Sequence, residues 1–347
     1  MKNIMIEEFA KHLCRLVVLA IGLLSFNCET SLAQELFPLQ EAASNVPKGT
    51  VGLRAFGSLY SEWGTNRFLT SLRFMYGLTP KVTVLITSSL SNHHSSRLPK
   101  DLLYHLHDYA NANTVFKTNS IRRGLVYPYQ FNGIHLYVKY RFVTMDRQGR
   151  HFRMAVYGEY GWIRSAHDES EPSLLDDTKG WGTGLIASWL RNRWAISWIG
   201  GLTIPGMYAE VQQDPDVFYP DGIYTKIRYG NAIVNNLSVG YRLFPKKYRH
   251  YNQDNTNLYL EFESKYFGSA RIWQNGNPVV IQTPTLQANW YVEVYPGIQK
   301  IIRSNLRFDF SVGMPLLKRS YTRFYPIFLV GIQRYFYPVK KNSRLAL

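Results

Sequence analysis

The sequence predicts an all-β chain closed into an antiparallel, up-and-down transmembrane β-barrel. Three observations point there. About a dozen segments alternate apolar and polar residues with the period of a strand, an apparent export signal precedes them all, and short and long connections interleave between them. One segment displays the pattern plainly. Asn132, Ile134, Leu136, Val138, Tyr140 and Phe142 share one side, whereas His135, Tyr137, Lys139 and Arg141 share the other. In a soluble sandwich the apolar side turns inward. Repeated around a whole chain behind an export signal, it reads as apolar toward lipid and polar toward a lumen.

Residues 1–33 have the features of a signal peptide. Lys11 and Arg15 form a basic start, Leu16–Phe26 is an apolar run too short to span a bilayer as a helix, and Ser31-Leu32-Ala33 supplies small residues before cleavage. The mature chain then begins at Gln34, with 34–49 expected as a periplasmic N-terminal segment, 50–337 as the barrel and 338–347 as a C-terminal tail. Both cysteines, Cys14 and Cys28, fall in the removable part. A mature chain without cysteine excludes a disulfide scaffold, thiol catalysis and cysteine-ligated zinc. Lipidation at Cys28 is disfavoured by the bulk of Asn27.

Composition agrees with this class. Aromatic residues reach 15% and charged residues only 18%, which suits a barrel with interfacial girdles better than a soluble domain. The formal net charge of +16 raises the question of nucleic acid, but the basic residues are scattered and no nucleic-acid module accompanies them.

In chain order, the strands are expected at Thr50–Tyr60, Arg67–Gly77, Val82–Leu90, Phe131–Val143, His151–Arg164, Gly180–Leu190, Arg193–Ile204, Asn231–Phe244, Asn257–Ala270, Thr285–Tyr295, Leu306–Met314 and Pro326–Tyr337. Most have the length needed to cross a bilayer at a tilt. The run Tyr224–Tyr229 either extends the eighth strand or stands as a short separate piece. Tight connections fall at Leu78–Lys81, Thr144–Arg150, Arg191–Asn192 and Ile301–Asn305, with a medium one at Pro245–Thr256. Longer ones interleave at Ser91–Gln130, Ser165–Lys179, Pro205–Gly230, Arg271–Pro284 and Pro315–Tyr325. Short turns belong in the periplasm and long loops outside, so both termini are expected in the periplasm and the strand number is even. Twelve fits best, with ten or fourteen following from one split or merger.

The run Tyr76-Gly77-Leu78-Thr79-Pro80-Lys81-Val82-Thr83-Val84, with Gly and Pro bracketing a tight turn, resembles the strand-turn-strand signature of bacterial porin-like and transporter-like outer-membrane barrels. The stretch Ile327–Phe336 is similar to the aromatic-ended closing strand by which barrel-assembly machinery recognises such proteins, although further residues follow it here. The resemblance implies a fold, a bacterial outer membrane and its lipids and lipopolysaccharide as surroundings. It carries no functional residues across.

Strand parity places Arg54, Arg73, Lys139, Arg141, Arg153, Arg242, Lys265 and Arg307 on the lumen side, together with Glu159, Glu261, Glu263, Glu293 and Asp309. Phe68, Leu72, Phe74, Ile196, Trp198, Leu258, Leu260, Phe262, Trp290, Val292, Phe308 and Phe310 fall opposite. The lumen charges either line a path that favours anions, since cations are in excess, or pair as a network that partly fills the tube.

The loops carry weaker signals. His93, His94, His105 and His107, with Asp108, are capable metal ligands, but nothing in sequence brings the two pairs together. Asp168, Glu169, Glu171, Asp176 and Asp177, then Glu210, Asp214, Asp216 and Asp221, make two acidic loops, expected as a solvated rim without the order of a calcium loop. The opposite turns are basic, with Arg147, Arg150, Arg191, Arg193, Lys246, Lys247 and Arg249. Ser88, Ser89 and Ser91 beside His93 and His94 do not match the pattern of outer-membrane hydrolases. The expectation is therefore a non-catalytic, cofactor-free barrel passing small polar solutes, with anions favoured if the cation excess lines an open path. A closed binding or structural barrel acting through its long loops is the alternative, and a lipid-modifying enzyme the third reading.

Overall fold

The computed structural model describes residues 37–62, 65–92, 128–147, 149–164, 170–212, 223–247, 253–281 and 284–338. The signal segment, most of the C-terminal tail, the histidine group from His93 to His107, and Asp168, Glu169, Asp214, Asp216 and Asp221 lie outside the described residues.

Twelve strands close into one antiparallel barrel. They are β1 (Val51–Glu62), β2 (Thr65–Thr79), β3 (Val82–Ser91), β4 (Gln130–Arg147), β5 (Arg150–Ile163), β6 (Gly180–Arg191), β7 (Trp194–Pro205), β10 (Ala232–Phe244), β11 (Asn255–Phe267), β14 (Asn289–Ile302), β15 (Leu306–Leu317) and β16 (Ile327–Phe336). The seam joins β1 to β16 from Val51↔Phe336 to Leu59↔Phe328, so no ladder edge is left open.

The other four strands are β8 (Met207–Gln212), β9 (Ile223–Arg228), β12 (Arg271–Gln274) and β13 (Asn277–Val279). They build a small sheet, in the order β13-β12-β9-β8, beyond the long-loop end of the barrel. The run at Tyr224 is thus a separate strand. It does not extend the eighth crossing.

Most strand boundaries fall within a few residues of the sequence expectation, and β14 departs furthest. The expected end is Tyr295, yet the strand continues through Pro296-Gly297 to Ile302. Pro296 pairs opposite Leu260 of β11, whereas neither Tyr295 nor Pro296 has a register partner on β15. The missing N–H costs the ladder one bond on a single side.

The apolar faces point outward all round. Phe74, Ile86, Val138, Val156, Leu237 and Phe310 stay more than a third exposed although each sits on a strand whose alternate residues are buried. A water-soluble protein does not leave so large an apolar band uncovered. Aromatic pairs mark both of its rims: Tyr160 with Trp181 at the long-loop end (centroids 4.4 Å apart) and Trp194 with Tyr241 at the short-turn end (4.6 Å). Asn132 leaves this face, against the sequence expectation. A bulge opposite Ser89–Leu90 turns it inward, and its Nδ2 donates to Ser91 Oγ at 2.8 Å.

Candidate functional site

The lumen is the candidate site, and its own chain occupies it from both ends. Residues 37–49 belong to the stretch 34–49 expected from sequence as an N-terminal segment preceding the barrel. They enter the barrel at the short-turn end and cross its interior as a bar. At the point of entry the backbone runs against Gly77, where a side chain would collide with Pro47 O, and Gly49 N donates to Gly77 O at 2.8 Å.

Beyond that contact at Gly49 the bar forms no ladder with a strand, so its polar backbone is satisfied by side chains of the wall. Arg307 Nη2 donates to Phe37 O at 3.0 Å and Arg54 donates to Pro38 O. Glu261 accepts from Leu39 N and Gln40 N, one oxygen each, at 3.1 Å, and from Ser238 Oγ at 3.1 Å. Lys139 Nζ donates to Ala42 O at 2.6 Å, Ser188 Oγ accepts from Ala43 N at 2.9 Å, Arg153 donates to Ser44 Oγ at 2.9 Å, and Thr83 Oγ1 accepts from Val46 N at 3.0 Å.

Glu41 is the charge that the bar carries into the interior, whereas Lys48 stays exposed. Glu41 pairs with Arg73 at 2.6 Å and with Lys139 at 3.3 Å. Burial pushes its carboxyl upward, but Lys139, Arg73 and Arg54 outweigh that and hold it below the ordinary value.

One side of the lumen is apolar rather than charged. Met75, Leu85, Ala155, Ile186 and Ile199 face inward and pack with Ala43 and Val46 of the bar, beside Tyr137 and Tyr157, which stack at 4.9 Å. These inward apolar residues follow the lumen parity that sequence reading assigned to polar groups.

Two loops fold in from the other end. The β5–β6 loop, read as part of a solvated acidic rim, instead buries Glu171 and Asp177. Glu171 accepts from Tyr291 Oη at 2.7 Å, Ser320 Oγ at 2.6 Å and Tyr321 N at 3.1 Å, and pairs with Lys265 at 3.4 Å. Burial again works to raise its pKa, and Lys265, Arg323 and these donors hold it low. From the β15–β16 loop, Arg323 reaches Glu293 at 2.8 Å and Glu263 at 3.4 Å. Tyr295 and Tyr325 donate to Glu293 as well.

The charges singled out from sequence therefore divide by partner. Arg54, Arg73, Lys139, Arg153, Glu261 and Arg307 hold the bar, with Arg307 and Arg54 also paired to Asp309 at 2.8 and 3.5 Å. Lys265, Glu263 and Glu293 hold the inward loops. Glu159 pairs with His135 at 2.9 Å, Arg141 donates to Pro80 O at 3.0 Å, and Arg242 sits near the short turns with its backbone oxygen bonded by Arg193 at 2.8 Å. Sequence reasoning missed Glu41, Gln40, Ser238, Tyr291 and Arg323. The pairing of these residues depends on where a loop or leader folds, which no periodicity encodes.

Space remains between the bar and the loops. A cavity of about 180 Å³ is bounded by Arg54, Ser58, Arg67, Glu171, Asp176 and Arg323, and a second of about 250 Å³ by Glu41, His135, Tyr157, Glu159, Lys265 and Tyr291. Leu39, Arg73, Ser173, Leu175, Glu263 and Arg323 border both. Either far exceeds the roughly 10–15 Å³ that one water needs.

No protein-family model matches the sequence, and no curated protein does either. Among solved structures the chain is similar to an outer membrane channel from Pseudomonas putida F1, with a TM-score of 0.51 and 12% identity over 87% of this chain and 100% of that one. It also matches the NanC porin, with a TM-score of 0.38 and 10% identity over 83% of this chain and 100% of that one. Outer membrane phospholipase A from Escherichia coli matches at a TM-score of 0.33 and 10% identity, over 84% and 98%. At these identities the likeness concerns architecture: the chain has the fold of the outer-membrane β-barrels.

Proposed function

We propose that this barrel is an outer-membrane channel for small polar solutes that rests in an occluded state, with both termini in the periplasm and the long loops outside. The observation that carries the reading is how the obstruction is attached. Barrel strands pair only with barrel strands, while the bar and the Glu171 loop are held to the wall largely by side-chain contacts. Closure can then be relieved with the hydrogen-bond ladder intact. The cavities between the bar and the loops would connect with the short-turn end once the bar shifts.

Selectivity in this reading is mild. Cations and carboxylates both border the cavities, and the cations named above are already paired, so a strong anion preference is not expected. No catalysis is part of it.

The packing of Ala43 and Val46 on the inward apolar wall favours a second reading, a permanently closed barrel that acts through its loops. Planar-bilayer recording separates the two. The channel reading expects brief, small conductance steps from the folded chain and longer openings from Glu41→Gln. Silence from both proteins, each shown to be folded by heat-modifiable migration, would establish the closed barrel instead.

A further inference from the structure

We propose that the outer face of the β9–β12 sheet, just beyond the apolar band, is a binding site for the phosphate groups of a phosphorylated glycolipid in the surrounding leaflet. Arg228 of β9 and Arg271 of β12 are direct cross-strand partners, and both are exposed. Like charges placed directly opposite repel, because cross-strand Cβ atoms lie only about 4.5–5.5 Å apart. Neither side chain has a carboxylate partner among the described residues. Lys226, two positions along β9, lies on the same face, with Nζ 5.1 Å from the centroid of Tyr224.

The cations continue sideways around the same rim. Lys318, at the end of β15, holds Nζ 4.9 Å from the centroid of Trp290, and Arg319 beside it is exposed. Just toward the barrel, Tyr266 is 53% exposed and Trp290 38%, both on the outward face. No Asp or Glu lies on the outward face of β8 to β15 in this sector among the described residues. The order from barrel to rim is thus apolar band, amphipathic aromatics, then unpaired guanidinium and ammonium groups. A bilayer presents the matching order of acyl chain, interface and anionic headgroup. Guanidinium pairs suit phosphate because each offers a planar fork of donors. Continuity with the lipid-facing band selects a lipid phosphate over a soluble one.

The site rests on the membrane reading of the barrel but not on conduction, so the two fail separately. The folded full chain is placed in nanodiscs of zwitterionic phospholipid containing a trace of lipopolysaccharide in both leaflets, and the lipopolysaccharide retained per barrel is measured by native mass spectrometry. Removing two cations near a headgroup surface is expected to weaken retention about 25-fold, so Arg228→Gln with Arg271→Gln should lose it. Arg228→Lys with Arg271→Lys should keep part, and Lys246→Gln with Lys247→Gln, at the opposite end, should keep all. Dephosphorylated lipopolysaccharide should bind the unaltered chain as poorly as it binds the double Gln variant. Equal retention by the unaltered and double Gln chains overturns the site. Displacement by millimolar inorganic phosphate overturns the assignment to lipid. Unchanged bilayer conductance in the double Gln variant keeps either outcome distinct from failure of the channel reading.

Discussion

Glu41→Gln tests the bar most directly. Glu41 lies between Arg73 and Lys139 at 2.6 and 3.3 Å, and the Lys139 side chain is only 1% exposed. Neutralising the carboxylate leaves a buried ammonium whose remaining partner is Ala42 O at 2.6 Å. Breaking such a pair from one side costs about 3–5 kcal/mol. The lower end applies here, because the Gln amide oxygen still accepts one bond and Lys139 keeps its carbonyl.

That penalty exists only while the bar is in place, since its departure lets water reach Lys139. About 3 kcal/mol then raises the displaced population roughly 100-fold, at 1.4 kcal/mol per tenfold. Ala43, fully buried on the bar, is the reporter position. With the chain begun at Gln34, Ala43→Cys is the sole thiol, and its alkylation rate in folded protein reads bar displacement. The expectation is alkylation faster by roughly two orders of magnitude in the Glu41→Gln background. Equal rates in the two backgrounds, with heat-modifiable migration unchanged, would refute the argument that charge pairing holds the bar.

Three further outcomes follow from the same contacts. Glu41 and Glu171 both have folded pKa values below the ordinary 4.5, so each contributes its full stabilisation above that pH and loses it as pH falls through the lower folded value; channel openings should therefore lengthen on acidification below about pH 4.5, and openings of unchanged length there would contradict the assignment. Arg323→Gln strips the cation from Glu293, whose side chain is 0% exposed, and should lower barrel stability by about 3–5 kcal/mol in urea unfolding, whereas no change would show the pair to be dispensable. Val138→Arg, on the outward face of β4, should cost about 2–4 kcal/mol of folding stability in lipid vesicles, and a neutral result there would contradict the lipid-facing assignment.

How far the sequence could be read differs between the wall and what fills it. Ile134 to Phe142 alternate because every strand of a closed barrel sees lipid on one side, so the pattern repeats and averages out local error. The end of β14 was missed, although pairing to β11 continues through Pro296 and only the β15 side is interrupted there. Glu171 and Arg323 behave differently. Loop charges look solvated in any one-dimensional reading, and only the fold of the loop shows that each ends among buried partners. The inward Met75, Leu85 and Ile186 sat in plain view on the polar parity, and their apolar character was the one available sign that the lumen is packed.

The sequence by itself determined the architecture: alternation and short-long connections suffice for an up-and-down barrel with its apolar side outward, and strand pairing then settled twelve among the even counts from ten to fourteen. These features are local or periodic, and each is dictated by the lipid around the wall. Whether the lumen is open was decided only by the tertiary structure. Phe37 to Gly49 carry no periodicity, and the Glu261 that receives Leu39 and Gln40 lies more than two hundred residues away. Parity correctly aims a charge inward, but what meets it there depends on closing the barrel around a segment from elsewhere in the chain.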